Sequence, residues 1–227
     1  NGTTWTEVAD VLTDRELFGA GGTQNDSVIF GGRNPSIGNN VTCTEEWNGI
    51  GWSQRGTLIA GRRRLAGAGK TAAALAISGD SPGHASTEEY DGSAWTNGGA
   101  LISSVYSQGV TGTQNAGLSF LGANIPSGNT NKTEEYDGST WATAATANVT
   151  RNDISAGFGT QNATIATTGY VSPTGTTCTE FYDGTKISPE RGTLLLFPAT
   201  WTFYHRGRPP LGNNNKYVCT GWLRDII

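Results

Sequence analysis

The sequence predicts an all-β fold built from repeats of one four-stranded unit, and three observations predict it. The phrase Thr87-Glu88-Glu89-Tyr90-Asp91-Gly92-Ser93-Ala94-Trp95 recurs from Thr133 to Trp141 and, with Trp47-Asn48 for Tyr-Asp, from Thr44 to Trp52. A second marker keeps step with it: Gly22-Thr23-Gln24, Gly69-Lys70-Thr71, Gly112-Thr113-Gln114 and Gly159-Thr160-Gln161. Composition is the third. The chain has 33 Gly and only 15% charged residues, a mixture that suits short strands and tight turns and not helices. Trp5, Trp52, Trp95 and Trp141 lie 47, 43 and 46 residues apart, a period typical of solenoids and propellers.

The first unit shows each element in turn. Glu16 to Gly21 reads as a strand of small residues, and Gly22 to Asn25 as a tight turn. Ser27-Val28-Ile29-Phe30 is an apolar strand ending at Gly31-Gly32. A polar loop follows, then a third strand from Val41 to Trp47. Asn48-Gly49 is the hairpin turn, and Trp52 opens the fourth strand. Asn-Gly and Asp-Gly between strands mark a two-residue hairpin, whose central positions both take positive φ. Later second strands are expected at Ala73 to Ser78, Ala116 to Leu121 and Ala163 to Thr168, and small-residue first strands at Leu65 to Gly69 and Ser155 to Gly159. The repeats divide at about 1–47, 48–90, 91–136 and 137–182, with a divergent last unit at 183–227, all in one domain.

The apolar strand ending in Gly, the Tyr-Asp-Gly and the following Trp together resemble the kelch repeat of β-propellers over residues 1 to about 187. The Thr-Glu-Glu-Tyr-Asp-Gly form is similar to repeats in structural proteins of marine bacteriophages (cyanophages). The resemblance implies a virion or extracellular module without catalysis, contacting a glycan, a protein surface or other virion proteins, and needing no cofactor.

The text changes after Thr185. Thr193-Leu194-Leu195-Leu196-Phe197-Pro198, His205-Arg206-Gly207 and Lys216-Tyr217-Val218 resemble the C-terminal end of prolyl-hydroxylase-type iron(II)/2-oxoglutarate dioxygenases. That resemblance implies His205 as an iron ligand and Lys216 as the partner of the 2-oxoglutarate carboxylate, in a cytoplasmic enzyme carrying inserted repeats. Catalytic iron needs two histidines and a carboxylate. The other histidine, His84, is followed two residues on by Ser86 and not by an acid, so enzyme activity is not expected of this chain. Counting offers another use for the segment. The chain opens on a fourth strand, Thr3 to Val8, and three C-terminal strands would complete a last blade with it. The expected fold is therefore a five-bladed kelch-like propeller of four-stranded blades, its ring closed by pairing the N-terminal strand with the C-terminal strands.

The net charge of −4 argues against a general nucleic-acid binder, and no apolar run is long enough to span a membrane. Cys43, Cys178 and Cys219 are too few for a disulfide framework. Glu45, Glu88, Glu134 and Glu180 are repeat equivalents. They are expected to anchor backbone amides or cations and not to form the facing carboxylate pair of a glycosidase. Arg62-Arg63-Arg64 reads as a solvated loop or an anchor. Binding residues concentrate on loops, so the candidates are Arg33, His84, Lys132 and Tyr170 on the long-loop face.

Overall fold

The computed structural model describes residues 2–80, 84–124, 127–154 and 156–184, which belong to one compact unit, Asn1–Thr185. The described residues form strands and turns with no helix. Sheet I holds Gly19–Thr23, Asp26–Phe30, Thr44–Trp47 and Trp52–Arg55. Sheet II holds Ala66–Lys70, Ala73–Ile77, Thr87–Tyr90 and Trp95–Asn97, and sheet III holds Gly109–Thr113, Ala116–Phe120, Thr133–Tyr136 and Trp141–Thr143. Sheet IV has three strands among the described residues: Ala156–Thr160, Ala163–Thr167 and Thr179–Asp183. Every pairing is antiparallel, and within each of these four sheets the strands pair in the order given. The first strands of the four sheets lie side by side in order.

Among the described residues the expected closed ring of five four-stranded blades is not formed. The strands of the described residues split into seven separate antiparallel sheets, none of them closed. Closure needs a strand at each end of the row. Residues 3 to 8 form no strand, and Trp5 stands fully exposed. The C-terminal strands expected between Thr193 and Leu223 lie outside the described residues. The three small extra sheets come mainly from the long loops, which fold back as short hairpins: Arg33–Asn34 with Asn39–Asn40, Ala123–Asn124 with Gly128–Asn129, and Tyr170–Val171 with Thr174–Gly175.

The hairpins of the phrase also differ from expectation. Trp47 pairs with Trp52, Tyr90 with Trp95, and Tyr136 with Trp141, so four residues turn the chain and not two. Only the glycine is left-handed, with φ of 89°, 92° and 93° at Gly49, Gly138 and Gly92. The Asn or Asp keeps an ordinary φ because its side chain closes the turn. Asp91 Oδ1 accepts from the amides of Ser93 and Ala94, both at 2.8 Å, and Asn48 and Asp137 do the same in their units. The glycine of the second marker is steric as well as conformational. At Gly112, where φ is 104°, a Cβ would drive into the carbonyl oxygen of Ala116 on the facing strand.

Letters of the phrase that pair within a sheet also bind the sheets to one another. The hydroxyls of Tyr90, Tyr136 and Tyr182 donate to Glu46, Glu89 and Glu135 of the preceding sheet. Trp95 Nε1 donates to Thr44 Oγ1 at 2.8 Å, and Trp141 Nε1 to Thr87 Oγ1 at 2.9 Å. Gln114 Nε2 donates to the carbonyls of Ala74 and Tyr90, and Gln161 Nε2 to those of Gly117 and Tyr136. Alternation explains the division of labour. Along Thr-Glu-Glu-Tyr, the Thr and second Glu face the next sheet, while the first Glu and Tyr face the previous one. The cores lie in these seams: Val28, Phe30, Leu58, Leu65, Ala74, Ala76, Tyr90 and Trp95 pack together between sheets I and II.

Candidate binding surface

The first glutamate of each phrase is a structural acceptor. Glu88 is buried, pairs with the buried Arg62 and accepts the amide of Ile59 at 2.8 Å. Glu45 holds Arg15 and the amide of Leu12. Glu134 holds the amides of Ile102 and Ser103 at 2.8 and 2.9 Å. Glu180 holds Arg151 and the amide of Asn148. Each thus ties down the connection that leads into its own sheet. Burial works to raise the Glu180 carboxyl, and the bonds from Arg151 and Asn148 outweigh it, so it lies below its ordinary value. Burial, then the bond to Glu89, pushes the Tyr136 phenol up to about 12. Cys43 and Cys178 are free thiols facing the guanidinium groups of Arg15 and Arg151. Among the described residues no three His, Cys, Asp or Glu side chains converge on a point that could hold a metal. His205 and Lys216 lie outside the described residues.

The four loop candidates sit on separate pieces of chain. Arg33 opens the hairpin of sheet I and pairs with Glu16 at 3.0 Å. Tyr170 holds the matching place after the second strand of sheet IV, is 40% exposed, and has its carbonyl bound by Asn129 Nδ2. Lys132 is exposed just before the third strand of sheet III. His84 is half-buried, and its carbonyl accepts the amide of Val105. No hydrogen bond or ring contact joins any two of the four among the described residues.

His84 instead belongs to a cluster that residue type alone did not reveal. Its ring lies 6.4 Å from that of Tyr106, and the Arg64 guanidinium stands 5.7 Å from the Tyr106 ring centre. Asp80 accepts from Arg63 Nε at 2.8 Å and lies 3.9 Å from Arg64. That bond to Asp80 raises Arg63 above its ordinary value. The basic run therefore splits: Arg62 is the buried anchor, while Arg63 and Arg64 reach the surface. Arg64 and Tyr106 meet because successive connections stack, with the amide of Arg64 donating to Leu17 O at 2.8 Å and that of Ser107 to Arg64 O at 3.2 Å. A signal existed in the text: Tyr106 directly precedes the residue that answers to Arg64 one repeat later.

The arrangement combines an aromatic ring, two part-exposed guanidinium groups, a carboxylate and an imidazole. It can stack and hydrogen-bond, and it holds no nucleophile paired with a base. No protein-family model and no curated protein matches this chain.

Proposed function

We propose that the chain is a non-catalytic binding or structural module that contacts a glycan or a protein surface through the long-loop end of its sheets. The Arg63–Arg64–Asp80–His84–Tyr106 cluster carries this reading. It is where charged and aromatic groups converge at the surface without being consumed by the seams. Flat aromatic and guanidinium groups offer contact area together with directional hydrogen bonds. The resemblance of the phrase to repeats of marine phage structural proteins supports placing such a module on a virion, in contact with a host surface or a neighbouring virion protein.

Glycan-array binding of the wild-type chain and of Arg64→Ala and Tyr106→Ala tests the reading. Binding that both substitutions remove, with thermal stability retained, is the expected result. A parallel assay with iron(II) and 2-oxoglutarate addresses catalysis: turnover that His205→Ala abolishes would overturn the proposal.

A further inference from the structure

Five charged side chains gather at the long-loop end of sheets I and II, and four of them are paired. Arg33 pairs with Glu16 at 3.0 Å, and Arg63 with Asp80 at 2.8 Å. The fifth is Arg64. The acid nearest it is Asp80, whose Oδ2 lies 3.9 Å away and already accepts from Arg63 Nε. A separation of that size is outside hydrogen-bond range. The Arg64 side chain is 42% exposed and stands over the half-buried Tyr106 ring, 5.7 Å from its centre. A guanidinium held over a ring keeps its in-plane N–H groups free, and their fork matches a carboxylate or a sulfate.

We propose that the ligand of this surface, on the binding reading given above, is an acidic glycan. The carboxylate or sulfate of one sugar residue sits on the Arg64 guanidinium, and a hydroxyl of the same residue donates to Asp80. The ring of Tyr106 adds apolar contact area beside them. The acceptor selects for a sugar. An anion without donors of its own would meet Asp80 as a like charge, close to the cation that binds it. A glutamate side chain has no such donor, whereas a sugar acid carries hydroxyls next to its charge. A nucleic acid draws its affinity from a series of cations, and here a single guanidinium is left over.

Titration calorimetry of the chain against alginate oligosaccharides (carboxylates), dextran sulfate (sulfate esters), dextran (neutral) and polyglutamate (an acidic peptide) tests this. At least one acidic glycan should bind, the tighter of the two naming the source of the anion, with dextran and polyglutamate weaker by roughly tenfold or more. Arg64→Gln should weaken the binding by roughly tenfold or more, because hydrogen bonds to a charged group are lost. Arg64→Lys, which keeps the charge and loses the planar fork, should fall between. Arg55→Gln, at an exposed position of the fourth strand of sheet I, should leave binding unchanged. Asp80→Asn should narrow the gap between the acidic glycan and polyglutamate, and an unchanged gap overturns the role given to Asp80. Dextran bound as tightly as the acidic glycans overturns the requirement for an acid and leaves the broader binding reading standing. Polyglutamate bound as tightly overturns the assignment to a glycan. Acidic glycan binding that survives both Arg64 substitutions overturns the site. Failure to bind any of the four overturns the inference, and the broader reading falls with it only if the glycan array is blank as well.

Discussion

The hydroxyl of Tyr90 donates to Glu46 Oε1 at 3.0 Å, across the seam between sheets I and II and 44 residues along the chain. Equivalent bonds join Tyr136 to Glu89 and Tyr182 to Glu135. A tyrosine and the glutamate directly before it in one phrase thus belong to two different partnerships, one on each side of the sheet.

Tyr90→Phe keeps the ring in its stack on Trp95 and removes only the donor. It should lower stability by about 1.5–3 kcal/mol, as expected for a hydrogen bond to a charged acceptor. The loss should shrink on a Glu46→Gln background. Urea unfolding of the two single variants and the double variant measures the coupling. Strict additivity would show that the bond does not hold the seam.

Arg62 and Glu88 are both buried, and the guanidinium also donates to the carbonyls of Ser78 and Ala76. Arg62→Met strands the Glu88 carboxylate with the Ile59 amide. The expected loss is about 3–5 kcal/mol, because a buried charge is left uncompensated. Arg62→Met combined with Glu88→Leu should recover part of it, since the stranded charge is gone. Chemical denaturation of both variants checks the order.

Gly112 and Gly128 both have positive φ, 104° and 84°, but only Gly112 faces a carbonyl where a Cβ would go. Gly128→Ala should cost about 1 kcal/mol for its backbone conformation. Gly112→Ala should cost roughly 2 kcal/mol or more, with strain added to collision. Thermal unfolding of the pair separates the two contributions, and equal losses would refute the steric role of the second marker.

The Asp137 carboxylate accepts the amides of Thr140 and Ser139 and the Ser139 hydroxyl, which hold it at about 2 against an ordinary 3.8. Its folded-state value is depressed, so the stability it contributes is present above the unfolded value and lost as pH falls through the folded one. Asp137→Asn should keep the turn, because Asn48 closes its own loop with the same two amide bonds. The melting temperature of the variant should therefore fall less steeply than that of wild type between pH 3.8 and about 2.

Much of the fold was legible because it is local. Each second strand expected from the text lies within a residue of its observed ends, and the Asp-Gly turns fall in place; the other turn is shorter than the expected Gly22 to Asn25, because Gly22 and Thr23 stay paired in the strand and only Gln24 and Asn25 turn. The turns of the phrase hold four residues and not the expected two because the aspartate side chain closes the loop by itself, which removes the need for a second positive φ. The anchoring role of the first glutamate was also legible, since repeat-equivalent acids cannot face one another. The binding cluster was not. Residue type and loop position single out Arg33, His84, Lys132 and Tyr170, whereas Arg64 and Tyr106 become neighbours only when two connections stack.

The sequence by itself determined an all-β chain of repeated units, the order of strands within each, and the glycines that turn them. Those features depend on spacings of a few residues and on hydrogen bonds that close locally. Tertiary structure alone decided which letters of the phrase hold the seams, and that the described sheets do not close into a ring. It also decided that Leu17, Arg64, Ser107 and Asp153, four unlike residues, share one left-handed position. Backbone bonds between successive connections hold the chain there, and no side chain announces it.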